Sequence, residues 1–487
     1  MPSNLRPALL GGLVLIALAA LAWWLLADDP HHDPDDPVAG MSDEEILAAA
    51  QEFYDSRPYY ESPFPYTEVP EGLPDLRSET CAACHGEIHK EWSISTHARA
   101  WKDDAQYMEE LAKARGEYYD HQDEDYGWLC VTCHTPMINQ LEELVIGLED
   151  DQLGFPILVD NPFFDEDLQD DAIACAACHV EDGIVYGPRG DTDAPHPVAK
   201  DEDLTTERNC TQCHQAEENY YPDDLFACMF TTGAEWADSP AAEKGNYCQD
   251  CHMPPVQRPL AENFDVPVRD TRKHYFGGSL IPKHPDFEEE LQPLKAIFGS
   301  GVTLFFDDDP DDHLALRVYN EFAGHGFPTG DPERHAEIDI TIEDADGQRI
   351  GDVHQHIGAR YQWYPELKLL SDNRIAPGDS LYVDIDWPDD AGHYPLNVDV
   401  EAHKFRMYQD DFDYHDLEGR YVRGRLFHHS SWRIDVDDQG APSASLIAID
   451  DDWGSRDTLE PPTDIPSNRP PEDDRSSGDN ESDPAID

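Results

Sequence analysis

The sequence predicts a chain in two parts. A mainly helical and irregular body comes first, an antiparallel β-sandwich follows it, and a transmembrane helix precedes both. Three observations predict this. All 11 cysteines fall before residue 296, in sequence without strand-like alternation. Period-2 apolar runs bounded by turn residues begin after about residue 296. An unbroken apolar run, Ala8 to Ala27, is just long enough to cross a bilayer as a helix.

Residues 1–27 are expected to be a membrane anchor or a signal segment. Arg6 precedes the run and Asp28 and Asp29 follow it, so positive-inside bias puts the body outside the cytoplasm. Trp23 and Trp24 stand where an interfacial aromatic belt belongs. The rival is a cleaved signal peptide with its small-residue site at Ala20-Leu21-Ala22. Cleavage there would leave Trp-Trp-Leu-Leu at the new terminus, which favours the anchor. Both readings export the body, to the periplasmic or cell-surface side of a bacterial inner membrane.

Residues 28–77 are acidic and Pro-rich and are read as a spacer. They hold one helix signal, from Ser42 to about Tyr54, with Ser42 and Glu45 in a capping-box pattern. The body spans 78–295. The β-sandwich spans 296–453, from the runs Val302–Phe306, Leu314–Tyr319, Ala336–Ile342, Leu381–Trp387 and Asn397–His403. Asp346-Gly347 and Pro377-Gly378 are turn signals between them. Residues 454–487, rich in Pro, Asp, Ser and Asn, are expected to be a disordered acidic tail.

A length of 487 residues fits two or three domains. With 33 basic and 104 acidic residues the formal net charge is −71, which excludes a nucleic-acid partner because phosphate binding needs clustered Lys and Arg. Adhesion to an anionic lipid surface is excluded on the same ground. Acid excess of this kind suits high salt, where screening tames self-repulsion. Apolar residues are 39% of the chain, a low share for its length.

The cysteines suggest what completes the interior. Ten of them form five Cys-x-x-Cys-His motifs: Cys81, Cys84, His85; Cys130, Cys133, His134; Cys175, Cys178, His179; Cys210, Cys213, His214; Cys248, Cys251, His252. This is the attachment pattern of c-type haem. Two thiols one turn apart add to the two vinyl groups of one porphyrin, and the adjacent imidazole meets the iron. Zinc would want two matched pairs per site. A thioredoxin-like redox pair would occur once, in a strand–helix context. A structural disulfide, like these, leaves the His at every motif unexplained. The cofactors predicted are therefore five c-type haems, and the body is a pentahaem cytochrome domain whose porphyrins supply apolar core and pack close to one another.

Each iron needs a sixth ligand or leaves that place open. The histidines best placed for it are His89, His97, His121, His196 and His274, followed by His284 and His325. His31, His32, His428 and His429 read as solvated and non-ligating. The seven methionines include no set of sixth ligands.

The segments CAACHGEIHKEWSISTHARAW, CAACHVEDGIVYGP, APHPV, TTGAEWADSPAAEKGNYCQDCHMP and RKHYFGG resemble the cytochrome c-554 type of multihaem cytochromes, whose relatives include hydroxylamine oxidoreductase and octahaem tetrathionate reductase. The likeness covers about 81–280. It continues in EFAGHGFPTGDPERHAEIDI, similar to a β-domain that follows the haems in many of these proteins. The resemblance implies close stacked haem pairs and mostly bis-His irons. It implies that His97, His196 and His274 are distal ligands and that His325 reaches a haem from the β-domain. Five attachment sites depart from the four of the small carriers and the eight of the enzymes. No Cys-x-x-Cys-Lys site is present, so one marker of a reductase centre is missing.

Cys228, the remaining cysteine, is the candidate catalytic residue, beside the plainer reading of a small buried hydrophobe. The runs Asp307–Asp312 and Asp410–Asp413 have the oxygen chemistry calcium takes, but 104 acids produce such runs without a metal. The function expected is electron transfer between a membrane or periplasmic donor and a redox partner protein. The alternatives are a multihaem oxidoreductase acting on a small nitrogen or sulfur compound at one open iron, and a protomer of an extracellular electron conduit.

Overall fold

The computed structural model describes residues 37–116, 124–190, 193–216, 230–311, 313–362, 368–388, 390–437 and 440–449. Two parts of the expected architecture are corrected. The chain is not mainly helical: among the described residues 28% are helical and 29% strand, in several sheets, and short strands accompany the helices before residue 296 as well. The transmembrane helix is not borne out either. No helix among the described residues is long and apolar enough to cross a membrane, and the run 8–27 lies outside them.

The first described helix, Asp43–Asp55, starts at the Ser42 signal. Ser42 Oγ accepts from the Glu45 amide at 3.3 Å, and Glu45 Oε2 accepts from the Ser42 amide at 2.8 Å. The segment read as a spacer is packed from here on. Ala50 and Tyr54 are buried, and the Tyr54 hydroxyl accepts the Val145 amide at 3.1 Å.

The cysteine-bearing part alternates short helices with short strands. The helices Gly127–His134, Cys175–His179, Arg208–His214 and Cys248–His252 each carry both cysteines of one motif, and Ser78–Ala82 carries Cys81. Between them lie β1 (Glu143–Leu148) paired with β2 (Pro156–Asp160), then β3 (Val180–Glu181), β4 (Ile184–Gly187) and β5 (Val198–Lys200) in one small sheet; the ribbon of β6 (Pro255–Pro259) and β7 (Val268–Arg272) follows the last helix. These strands are two to six residues long and mostly half-exposed, so they carry no apolar alternation for a sequence reading to find.

The remainder is two antiparallel sheets on one apolar core. One has the order β12 (Lys368–Asp372), β11 (Arg349–Gln362), β10 (His335–Glu343), β14 (Leu396–Phe405), β15 (Gly424–Val436), β16 (Pro442–Ile449). The other has the order β13 (Ser380–Val383), β9 (Leu314–Tyr319), β8 (Thr303–Asp308). Alternation decides which face is buried. Ile338, Ile340 and Ile342 on β10 stand opposite Ala402, Val400 and Val398 on β14, all at most 3% exposed. Leu304, Leu316, Val318 and Val383 from the smaller sheet join them, with Leu291, Leu294 and Phe298 from the segment before it. A fully buried side chain of this kind contributes about 1.5–3 kcal/mol. His428, read above as solvated, is buried on β15 and bonds Ser430 Oγ at 2.9 Å.

Candidate metal centre

The five motif helices stand close together. Cys81 neighbours Cys175, Cys133 neighbours Cys213, and Cys210 neighbours Cys248. Cys178 neighbours Asn209, Cys210 and Cys213. The first motif therefore adjoins the third, the third adjoins the fourth, and the fourth adjoins both the second and the fifth. None of the ten described cysteines forms a disulfide.

Four of the five histidines that follow the motif cysteines are oriented by carbonyls. His85 Nδ1 bonds Leu260 O at 2.7 Å, His134 Nδ1 bonds Ala100 O at 2.6 Å, and His179 Nδ1 bonds Tyr186 O at 2.8 Å. His252 Nδ1 bonds Gly277 O. Donation from Nδ1 leaves Nε2 as the lone-pair nitrogen, which a metal-ligating imidazole requires. The short strands now have a purpose. Tyr186 lies on β4, and Leu260 immediately follows β6.

Three of these rings face a second imidazole. The ring centres are 6.3 Å apart for His214 and His97, 6.3 Å for His179 and His274, and 6.2 Å for His252 and His325. An imidazole nitrogen lies roughly 1.1 Å from its ring centre and a metal–nitrogen bond is about 2 Å, so two imidazoles on opposite sides of one iron have centres about 6.2 Å apart. The spacing fits haem iron held by two histidines. Burial pushes the pKa of His97 and His274 down to about 3, and that of His214 and His325 down to about 4. Burial lowers His179 and His252 as well. Neutral imidazoles are the form that binds metal.

The other sequence candidates divide. His89 lies 3.7 Å from Glu79 and beside Trp92, His196 Nδ1 contacts Pro197 O at 3.3 Å, and His284 caps the turn before Phe287. None of these is brought to a motif histidine. His121 and Cys228 lie outside the described residues, as do His31 and His32. Among the described residues His85 and His134 have no second imidazole at the ligating distance, and Tyr107 stacks on His134 with ring centres 3.6 Å apart. No group of three or more His, Cys, Asp or Glu among the described residues is arranged to hold a metal ion.

Two glutamates that the sequence reading passed over hold the facing histidines in place. Glu91, 6% exposed, takes both guanidinium nitrogens of Arg258 at 2.8 and 2.9 Å and accepts the His274 amide at 3.0 Å. Glu235 accepts the Gly326 amide at 2.9 Å and Thr329 Oγ1 at 2.6 Å, which fixes the turn carrying His325. A signal was available. Each glutamate precedes a tryptophan, Trp92 or Trp236, and each indole donates to a distant carbonyl at 2.9 Å.

Residues 80–153 match the family model of cytochrome c554 and c-prime. No curated protein matches the chain. The chain is also similar to a solved structure, a penta-heme cytochrome c552 from Thermochromatium tepidum, at 17% sequence identity, covering 76% of this chain and 99% of that chain, with a TM-score of 0.48. The family match supports c-type haem as the cofactor and a multihaem cytochrome of electron transfer as the class.

Proposed function

We propose that the chain is an exported electron carrier. Its ten motif cysteines would hold five haems, and the chain would take electrons from a donor protein and pass them to a redox partner. One observation carries this reading: three motif histidines each face a second histidine at 6.2 or 6.3 Å. Two imidazoles on one iron leave no position for a substrate, which suits outer-sphere electron transfer.

Haem supplies the one-electron iron couple. The chain's own residues do the rest. The ten motif cysteines anchor the rings, and their contacts link all five sites into one connected set with the fourth motif at its centre. His85, His134, His179, His214 and His252 would ligate the irons, with His97, His274 and His325 as second ligands to three of them. Glu91 and Glu235 hold the loops of His274 and His325. Thioether attachment outside the cytoplasm agrees with the exported body.

Electron paramagnetic resonance on the oxidised holoprotein tests this, alongside a mass that counts haems. Five haems with low-spin signals dominating support the carrier. Fewer than five haems, or a high-spin majority, sinks it.

A second reading has one specific support. Among the described residues His85 and His134 lack a facing imidazole, so an iron held by either has room for an exogenous ligand. That would make the protein an oxidoreductase of a small nitrogen or sulfur compound. A high-spin signal that shifts on adding nitrite, hydroxylamine or sulfite would favour it.

A further inference from the structure

In a chain of net charge −71, one buried region gathers three cations. Lys283, Arg334 and Arg406 meet there with the carboxyls of Asp104 and Asp331, and Glu110 and Glu333 stand near Asp331. Lys283 Nζ pairs with Asp104. Burial raises the Asp331 carboxyl towards its neutral form, which weakens it as a counter-ion. Arg406 is 4% exposed, donates from Nη2 to Ile281 O, and lies with its guanidinium carbon 5.5 Å over the Tyr421 ring. Arg334 Nη1 donates weakly to Thr329 O at 3.4 Å.

The Nε atoms of Arg334 and Arg406 are shut off from solvent with no hydrogen-bond partner. So is the Nε1 of Trp101, whose ring centre is 5.7 Å from that of Tyr107, the ring stacked on His134. A buried donor without an acceptor costs about 1–3 kcal/mol, more when charged. Three such donors in one region call for an acceptor that is not protein. Gly330 leaves space for the guanidinium: a Cβ there would stand 2.7 Å from Arg334 Nη1.

The region adjoins two attachment sites. Lys283 pairs with Asp104, and the Asp104 carboxylate accepts the amide of Tyr107, whose ring stacks on His134. Arg334 bonds Thr329 O, and Thr329 Oγ1 meets Thr232 Oγ1 at 2.8 Å beside Gly233, which packs on Thr211 of the fourth motif. The thiols of these two motifs, Cys133 and Cys213, are themselves in contact. We propose that Arg334, with Arg406 and Lys283 beside it, binds a propionate carboxylate of haem between the second and fourth attachment sites. This rests on the haem reading above and adds an anion site built largely from the strand-rich part of the chain. A guanidinium fork suits a carboxylate by its two parallel donors. Cations there disfavour the extra positive charge of ferric iron, so they raise the potential of the haem they serve.

The test uses the full holoprotein with Arg334→Gln, Arg334→Lys and Arg406→Gln. Haem content by mass comes first. Fewer than five haems in the unsubstituted protein counts against the functional reading, separately from this one. Resonance Raman scattering then reads the propionate bending band, and potentiometry reads the haem potentials. The expected result is a displaced propionate band in all three variants and a lower potential for one or two haems in R334Q, with R334K recovering the potential but not the band. An unmoved band in R334K and R406Q, which keep the fold and the haems, overturns the proposal. If R334Q does not fold, R334K and R406Q decide it by the same band.

Discussion

On β10 and β14, Ile338, Ile340 and Ile342 face Ala402, Val400 and Val398, and the same core takes in Leu304, Leu316 and Val318 from the second sheet. Leu280, Leu291 and Leu294 from before residue 296 also enter that core. Other buried apolar side chains between residues 78 and 295 fall into separate clusters, one around Trp101, Leu111 and Trp128, another around Leu168 and Ala176. The strand-rich part builds its interior mostly from its own side chains. The cysteine-rich part gathers its cysteines, imidazoles and carbonyls between small clusters, as a chain does when porphyrin provides core. The difference teaches where stability comes from: burial of side chains in one part, ligand attachment in the other.

Removing attachment should break that comparison most visibly. A chain exported without haem-maturation machinery is expected to lose resistance to protease across 78–295 while a fragment containing residues 303–449 survives. Mass spectrometry of the digest checks this, and equal degradation of both parts would show that the contrast is not energetic.

Glu91→Ala is the next largest effect. It leaves Arg258 buried without its partner, at a cost of about 3–5 kcal/mol. It also frees the loop of His274, so one low-spin iron signal should weaken in the same sample. Denaturant unfolding followed at the Soret band and by circular dichroism separates the two consequences.

Ile340→Ala should cost about 2–5 kcal/mol by leaving a cavity in the two-sheet core. Haem count and spin state should not change. A spin-state change would mean the two parts are coupled more tightly than their separate cores suggest.

Tyr54→Phe should cost about 1–3 kcal/mol, because the Val145 amide loses its acceptor. Burial raises the Tyr54 pKa from 10.0 to about 12. The folded state therefore favours the neutral phenol. Its stabilisation is whole below pH 10, and is lost as pH rises towards 12. Unfolding midpoints between those values should fall more steeply in the unsubstituted chain than in the variant.

The strands read from sequence were those whose one face is buried. β9 and β14 follow the runs 314–319 and 397–403, because alternation is what a half-buried strand imprints on sequence. β11 was missed: RIGDVHQHIGARYQ buries little, and its partner β10 holds it in register. β1 to β7 were missed because they are short; β1 and β2 bury only Leu144, Val145 and Val159, and β4 and β6 place carbonyls at His179 and His85. Among the facing histidines, His97, His274 and His325 were on the list drawn from sequence, but so were His89, His196 and His284, which the fold takes elsewhere.

The sequence by itself determined the cofactor chemistry. Thiol–thiol–imidazole spacing is local, and five adjacent residues write it out in full five times. Which histidine stands opposite which, which motifs touch, and where the buried arginines lie depend on residues far apart in the chain. His252 meets His325 because Glu235 ties down the turn that carries His325. Contacts of that kind are set by packing over long range, and no short window of sequence contains both partners.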